Sequence, residues 1–266
     1  MCMIASRSER PDYGIDAPGV VRNLFLVGVI GWLVWGTATL DLWSGQIVIP
    51  LPGIRLIFPL AGMGFGCGIG FTLMGVWMVW DSKIGKVRSR ELLLRRITWT
   101  GKERVLDVGC GRGLMLVGAA QRLRTGKATG IDIWQAEDLS GNRPEATLEN
   151  ARREGVLDRV EVQTGDMRQI PFADNTFDVV VSRAAIHNLY ETADRAQAIS
   201  EIARVLKPGG RALIEDIRHH QQYTTVFTEH GCADVRRVGS HVVYVLLLLI
   251  TFGSLRPATL IVRKSA

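Results

Sequence analysis

In the stretch RVLDVGCGRGLMLV, Arg104 to Val117, Asp107 precedes a turn with glycines at 109, 111 and 113. Glycine lets a backbone come close to a ligand, and a helix beginning near Arg112 would offer unpaired amide hydrogens at its first residues. Such a turn alone fits a dinucleotide equally well. Asp107 separates the two cases, because its carboxylate suits the amino group of an amino-acid-like ligand and would repel a pyrophosphate. Asp132 lies 25 residues further on, at the end of the strand-like KATGIDI, and can accept hydrogen bonds from two ribose hydroxyls. In GDM, Gly165 to Met167, Asp166 is placed to accept from an adenine amino group. These three acids describe a zwitterionic ligand with a nucleoside part.

A second group suits the handling of a proton. His187, with Asn188 beside it, follows the strand-like Phe177 to Ser182 and can take a proton from a hydroxyl, a thiol or a ring carbon; a structural hydrogen bond is the competing role. Glu215 and Asp216 end another strand, with His219 and His220 just beyond, and Glu215 is counted with Asn188 and Trp134 as lining an acceptor. For Asp216 and the two histidines, helix capping and solvated charge compete with contact to an acceptor. Cys110 belongs to the glycine turn because a small residue suffices there, not as a nucleophile. Trp134 either covers the nucleoside or packs in the core.

The elements that position these residues alternate. Strands are expected at Arg104 to Val108, Lys127 to Ile133, Val160 to Gln163, Phe177 to Ser182 and after Pro208 to Gly210, with helices between them. Pro144 sits in the first turn of a helix running to about Glu154, after the loop Asp138 to Pro144. Alternation of this kind predicts a parallel sheet with its ligand at the carboxyl ends of the strands.

VLDVGCGRG, GIDI, GDM, PFADNTFDVVVS and RVLKPGG, in this order and spacing, resemble the class I S-adenosylmethionine-dependent methyltransferases, especially the branch containing quinone-ring methyltransferases, over roughly residues 87 to 218. The resemblance implies a Rossmann-like α/β fold, a seven-stranded sheet with a reversed final strand and helices on both faces, and S-adenosyl-L-methionine as cofactor. It places the methionyl part over Gly109, Cys110, Gly111 and Gly113, the ribose at Asp132, and the adenine near Ile133, Asp166 and Met167, with Ser182 also counted among the cofactor contacts. Two features lie outside that branch's pattern. They are a hydrophobic N-terminal hairpin and the apolar run Val242 to Phe252 before an expected last strand, Thr259 to Arg263.

Val20 to Leu40 and Leu56 to Trp80 are each long and apolar enough to cross a bilayer, while charged residues become frequent from Asp81 onward. The chain therefore divides into an N-terminal segment (1–19), a two-helix membrane hairpin (20–80) and a methyltransferase domain (81–266). A pair of buried helices or a hairpin lying on the membrane surface is the alternative. Gly62, Gly66 and Gly70 recur on one helical face, which permits packing against the first segment or self-association into a homo-oligomer. Basic residues flank the hairpin on both sides, at Arg7, Arg10 and Arg22 and from Lys83 to Arg96, so both ends face the cytoplasm. The net charge of +6 contains no arginine-rich run and points to a membrane surface, not to nucleic acid. Four scattered cysteines, Cys2, Cys67, Cys110 and Cys232, suit reduced thiols and show no metal-ligand spacing.

The expectation is a multi-pass membrane enzyme that methylates a small lipophilic acceptor on the cytoplasmic face. Methylation of a protein or other macromolecule, with the hairpin as a tether, is one alternative; a non-catalytic S-adenosylmethionine sensor is another.

Overall fold

The computed structural model describes residues 10–239 and 257–266, so the run Val242 to Phe252 lies outside the described residues. The chain forms two compact units. One comprises Gly14–Lys86 with Ala136–Ser140; the other comprises the segment up to Tyr13, Val87–Gln135 and Gly141 onward.

The first unit is built on two apolar helices, α1 (Pro18–Thr39) and α2 (Leu60–Trp80). Pro18 supplies a preset φ at the start of α1. Their 22 and 21 residues reach about 33 and 32 Å at about 1.5 Å per residue, comparable with a hydrocarbon core of about 30 Å. Both satisfy the length and composition of a membrane span, and their outward residues, Leu26, Ile30 and Leu33 on α1 and Met63, Leu73 and Val76 on α2, are exposed. The second helix begins later than its apolar composition predicts. Leu56 to Phe58 instead belong to β2 (Ile54–Phe58), which pairs antiparallel with β1 (Ile47–Leu51) through a Pro52-Gly53 turn with Gly53 at φ 78°. The β-branched residues at 47, 48, 49, 54 and 57 and the turn pair explain this, since apolar composition alone does not choose between helix and strand.

The glycines that join the helices are also not the expected ones. A Cβ at Gly62, Gly66 or Gly70 would meet nothing within 4 Å, whereas one at Gly68 would lie 2.8 Å from the Trp32 ring and one at Gly64 2.8 Å from the Gly31 carbonyl. Gly31 and Gly28 on α1 are the reciprocal small residues, and the Trp32 indole N–H donates to Thr72 Oγ1 at 3.1 Å. Close backbone approach, which only glycine allows, thus uses the row 64 and 68. In sequence, α2 runs through a π-helical turn, Asp81–Gly85, into α3 (Lys86–Leu94), so the rise in charge at residue 81 does not end the helix.

The second unit is a seven-stranded sheet in the order β5 (Val160–Thr164), β4 (Lys127–Asp132), β3 (Arg104–Val108), β6 (Phe177–Arg183), β7 (Leu206–Asp216), β9 (Ala258–Arg263), β8 (Asp234–Val238). β9 is antiparallel to both neighbours; β3 to β7 are parallel. Helices α4 (Leu114–Ala120), α5 (Pro144–Arg153), α6 (Thr192–Val205) and α7 (His220–Glu229) complete it. Strand residues alternate between two cores. Leu106, Val108 and Val180 join Ile199, Ile202 and Phe227 on one face, while Val105, Val179 and Val181 join Leu94, Met115 and Val117 on the other. Burial on both faces is why these strands read as continuous apolar runs. The register of β6 with β7 jumps between Phe177↔Leu206 and Val179↔Arg211, which leaves Lys207 to Gly210 as an irregularity with Gly209 at φ 76°.

Candidate cofactor and acceptor site

The carboxyl ends of β3, β4, β6 and β7 bring most of the expected residues to one edge of the sheet. Gly109, Gly111 and Gly113 have φ of 71°, 52° and 84°, so the turn after β3 needs the left-handed conformations that glycine adopts most easily. A Cβ at Gly109 would sit 2.4 Å from Ala185 Cβ and 3.5 Å from Met167 Cε. α4 begins at Leu114, two residues later than expected, because the left-handed Gly113 is its cap.

Asp107 is 1% exposed, and its Oδ2 has no hydrogen-bond partner. Burial, and secondarily the charge of Asp132, push its carboxyl up to about 8, against the lowering effect of the Leu116 amide. Asp132 accepts from the Gly111 amide (2.8 Å), the Trp134 amide (2.6 Å) and Asn142 Nδ2 (3.3 Å). Trp134 adopts a left-handed φ of 62°, and its indole donates to Thr164 Oγ1 at 2.9 Å. Ile133 is 47% exposed beside it, an apolar surface able to take the face of a flat ring.

Asp166 is gripped by the Arg168 guanidinium, which also reaches Asp194 at 2.8 Å and holds the Asp166 carboxyl below its ordinary value. Ser182 is buried, and its hydroxyl donates to the Val108 carbonyl at 2.7 Å, a use that ties β6 to β3. Cys110 is also buried, which pushes its thiol well above the ordinary value and fits the small-residue reading.

On the acceptor side, His187 and Asn188 lie in a short 3-10 turn, Ile186–Asn188, directly after the Ala185 that meets Gly109. His187 Nδ1 is 2.5 Å from Asp216 Oδ1, and its amide donates to Asp216 Oδ2 at 3.0 Å. Asp216 also accepts from the Ile217 amide (2.8 Å) and the Tyr223 hydroxyl (3.2 Å). Capping and solvated charge are therefore not its role, because β7 carries it to 1% exposure beside the imidazole. Glu215 forms an ion pair with Arg183 at 2.5 Å. His220 is buried against the carbonyls of Asp216 and Ala258, which is structural, while His219 caps α7 at φ 62°.

Residues 106–214 match the family model described as a methyltransferase domain. The methyltransferase GfsG of Streptomyces halstedii is 36% identical over 49% of this chain and 43% of its own length. A demethylmenaquinone methyltransferase of Lactiplantibacillus plantarum is 34% identical over 46% of this chain and 48% of its own. The chain thus spans about half the length, or less, of these curated relatives. A geranyl diphosphate methyltransferase solved with S-adenosylmethionine shares the fold at a TM-score of 0.52 and 18% identity, over 67% of this chain and 85% of that one. Within the α/β unit, residues 106–214 carry the sequence pattern of a methyltransferase domain. The cofactor in that solved neighbour is S-adenosylmethionine.

The residues of this methyltransferase domain fit that cofactor. The orphaned, buried Asp107 oxygen awaits a cation, which the methionyl ammonium supplies, and the glycine turn leaves backbone free where side chains would intrude. Sequence reasoning missed Asn142, whose amide reaches Asp132, and Thr147 and Asn150 of α5, which both donate at the glycine turn: Thr147 Oγ1 to the Gly111 carbonyl at 2.6 Å, Asn150 Nδ2 to the Arg112 carbonyl at 2.9 Å. Asn142 stands in the loop DLSGNRP, where its residue type was the only signal; the α5 residues carried none beyond the polar face of an amphipathic helix.

Proposed function

We propose that the chain is a membrane-anchored S-adenosylmethionine-dependent methyltransferase that acts on a small lipophilic acceptor. The observation that carries this reading is the combination, in one chain, of the Asp107–Asp132 cofactor site with two long helices whose apolar residues face outward. Outward apolar surface of this extent calls for lipid, and an enzyme held in lipid meets lipid-soluble molecules first. The relative named for demethylmenaquinone is in keeping with such an acceptor.

In this reading Asp107 takes the methionyl amino group, the turn Gly109, Cys110, Gly111 and Gly113 approaches the methionyl chain, and Asp132, steadied by Asn142, takes the ribose. Ile133 and Met167 flank the adenine, with Asp166 at its amino group and Ser182 bracing the strands beneath. Trp134, Asn188 and Glu215 line the acceptor. The bound cofactor supplies an electrophilic methyl carbon, and the chain aligns a nucleophile with it and excludes water. The basic residues on both sides of the hairpin support a cytoplasmic catalytic domain.

The test uses the detergent-solubilised full chain, methyl-labelled S-adenosylmethionine and a membrane lipid extract. Enzyme-dependent label is expected in the organic phase, and Asp132→Ala is expected to lower cofactor affinity at least tenfold. Label confined to protein would favour the tethered macromolecule methyltransferase, and cofactor binding without any turnover would favour the sensor.

A further inference from the structure

The imidazole of His187 is held more tightly than a surface histidine requires. Asp216 grips it twice, through Nδ1 at 2.5 Å and through the backbone amide at 3.0 Å. Asp216 is itself fixed by the Ile217 amide at 2.8 Å and the Tyr223 hydroxyl at 3.2 Å, so both of its oxygens are engaged and it cannot turn away. Tyr223 is fully buried in the core, and burial together with the Asp216 charge pushes its phenol upward, so it acts only as a donor. With Nδ1 committed to a buried carboxylate, the proton on that nitrogen is fixed and Nε2 is left as a lone-pair acceptor without a protein partner among the described residues. The His187 side chain keeps 18% of its surface open, against 1% for Asp216.

The same turn abuts the cofactor loop. Ala185, two residues before His187, fills the space beside Gly109. A base carried on the turn that abuts the cofactor loop is placed to act on the atom that receives the methyl group. Thiols ionise close to neutral pH without help, whereas an alcohol or phenol is a weak nucleophile until its proton is taken. A ring carbon activated through a neighbouring phenol would need the base and the donor at two different atoms.

Resting on the function proposed above, we propose that His187 is the general base for an acceptor hydroxyl, with Asp216 and Tyr223 as positioning residues, and that the acceptor is a lipophilic alcohol or phenol leaving as its O-methyl ether. The acceptor oxygen attacks the methyl carbon. The oxygen–carbon bond forms as the carbon–sulfur bond breaks with its electron pair going to sulfur, and the hydroxyl proton passes to His187 Nε2. The positive charge lost from sulfur reappears on the imidazolium, where the Asp216 carboxylate at 2.5 Å stabilises it.

Two readouts test this in the full chain. With 15N-histidine labelling, the His187 signal, identified by its absence in His187→Gln, is expected to report a protonated Nδ1 and an unprotonated Nε2. Asp216→Asn is expected to change that tautomer. The second readout takes the product labelled in a membrane lipid extract. The label is expected to withstand mild alkali, which would free it from an ester, and to leave as volatile methyl iodide under hot hydriodic acid, which cleaves ethers but not carbon–methyl bonds. His187→Gln and Asp216→Asn are expected to lower kcat about 100-fold or more with cofactor affinity within about twofold of the parent, the range general-base catalysis contributes. His187→Gln is partly exposed and serves as the tolerant substitution if Asp216→Asn fails to fold. Label that survives hydriodic acid overturns the alcohol assignment, undiminished turnover in His187→Gln overturns the base assignment, and neither touches the lipophilic-acceptor reading. Absence of label from the organic phase despite cofactor binding overturns the lipophilic-acceptor reading and the assignment that rests on it.

Discussion

Asp107 joins the cofactor site to the acid–base behaviour of the fold. Its carboxyl is raised to about 8 in the folded chain, against an ordinary value of 3.8. Between those values the folded chain holds a proton that the unfolded chain has released, so this group's contribution to stability falls as pH rises through that window and is lowest above 8. Pairing with an ammonium group requires the ionised form, so binding below pH 8 must expel the proton. The affinity for S-adenosylhomocysteine is accordingly expected to climb from pH 6 to 8, by up to about tenfold per unit, and then to flatten; calorimetry in buffers of different ionisation enthalpy would register the released proton. Asp107→Asn is expected to abolish this slope, bind at least tenfold more weakly, and melt higher than the parent at pH 8. Asp107 and Asp132 were legible in the sequence because each lies at the carboxyl end of a short strand, just before a turn. Asp216 was not, since its partnership with His187, 29 residues earlier in the chain, depends on β6 and β7 aligning Arg183 with Glu215, a register no local pattern specifies.

At the scale of elements, the two glycine rows of α2 pose the same question in another form. Gly62, Gly66, Gly70 and Gly64, Gly68 share a spacing of four, so periodicity treats them alike, and the choice lies with α1. Gly28 and Gly31 present the flat surface that Thr72, Gly64 and Gly68 meet. A side chain at 68 must displace Trp32 and break its bond to Thr72, an overpacking cost of about 1–3 kcal/mol or more, whereas one at 66 meets open space. In a Cys67→Ser background, cysteines replacing Phe25 and Gly75, which touch across the same interface, report the packing. Oxidation is expected to join them when Gly66→Leu is added and to fail when Gly68→Leu is added. The inner strands of the sheet were readable, because burial on both faces writes an apolar run into each, whereas the edge strand β8, DVRRV with no buried residue, carries no such run. The hairpin β1–β2 was not, because its Ile, Val and Leu residues adjoin an apolar helix without a break in composition.

For the whole molecule, the chain leaves the α/β unit after Tyr13 and returns to it at Val87. Both flanks of that excursion are buried and meet at one residue. Arg90 donates to the Tyr13 hydroxyl at 3.0 Å and to Glu154 at 3.1 Å, and Tyr13 also reaches Glu154. Beside them the segment is sewn to the glycine turn, with Asp12 and Asn150 exchanging backbone and side-chain bonds at 2.9 Å and Arg112 reaching the Asp12 carboxylate at 3.2 Å. Arg90 is 4% exposed, its aliphatic stem packs at Gly118 of α4, and its guanidinium pairs with Glu154 at 3.1 Å and with the half-exposed Glu91 at 3.0 Å. Removal of one partner of a buried ion pair costs about 3–5 kcal/mol, mostly from the charge left behind. Glu154→Ala is therefore expected to lower the melting temperature of the α/β unit by on the order of 10 °C. Glu154→Gln, which keeps one acceptor for Tyr13 and Arg90, is expected to lose less, and Glu149→Ala, whose partners Arg152 and Arg153 lie along the same helix, least of the three. Differential scanning fluorimetry on the detergent-solubilised chain separates the three. Equal losses for Glu154→Ala and Glu149→Ala would mean that the flanks of the hydrophobic unit are not held at this point.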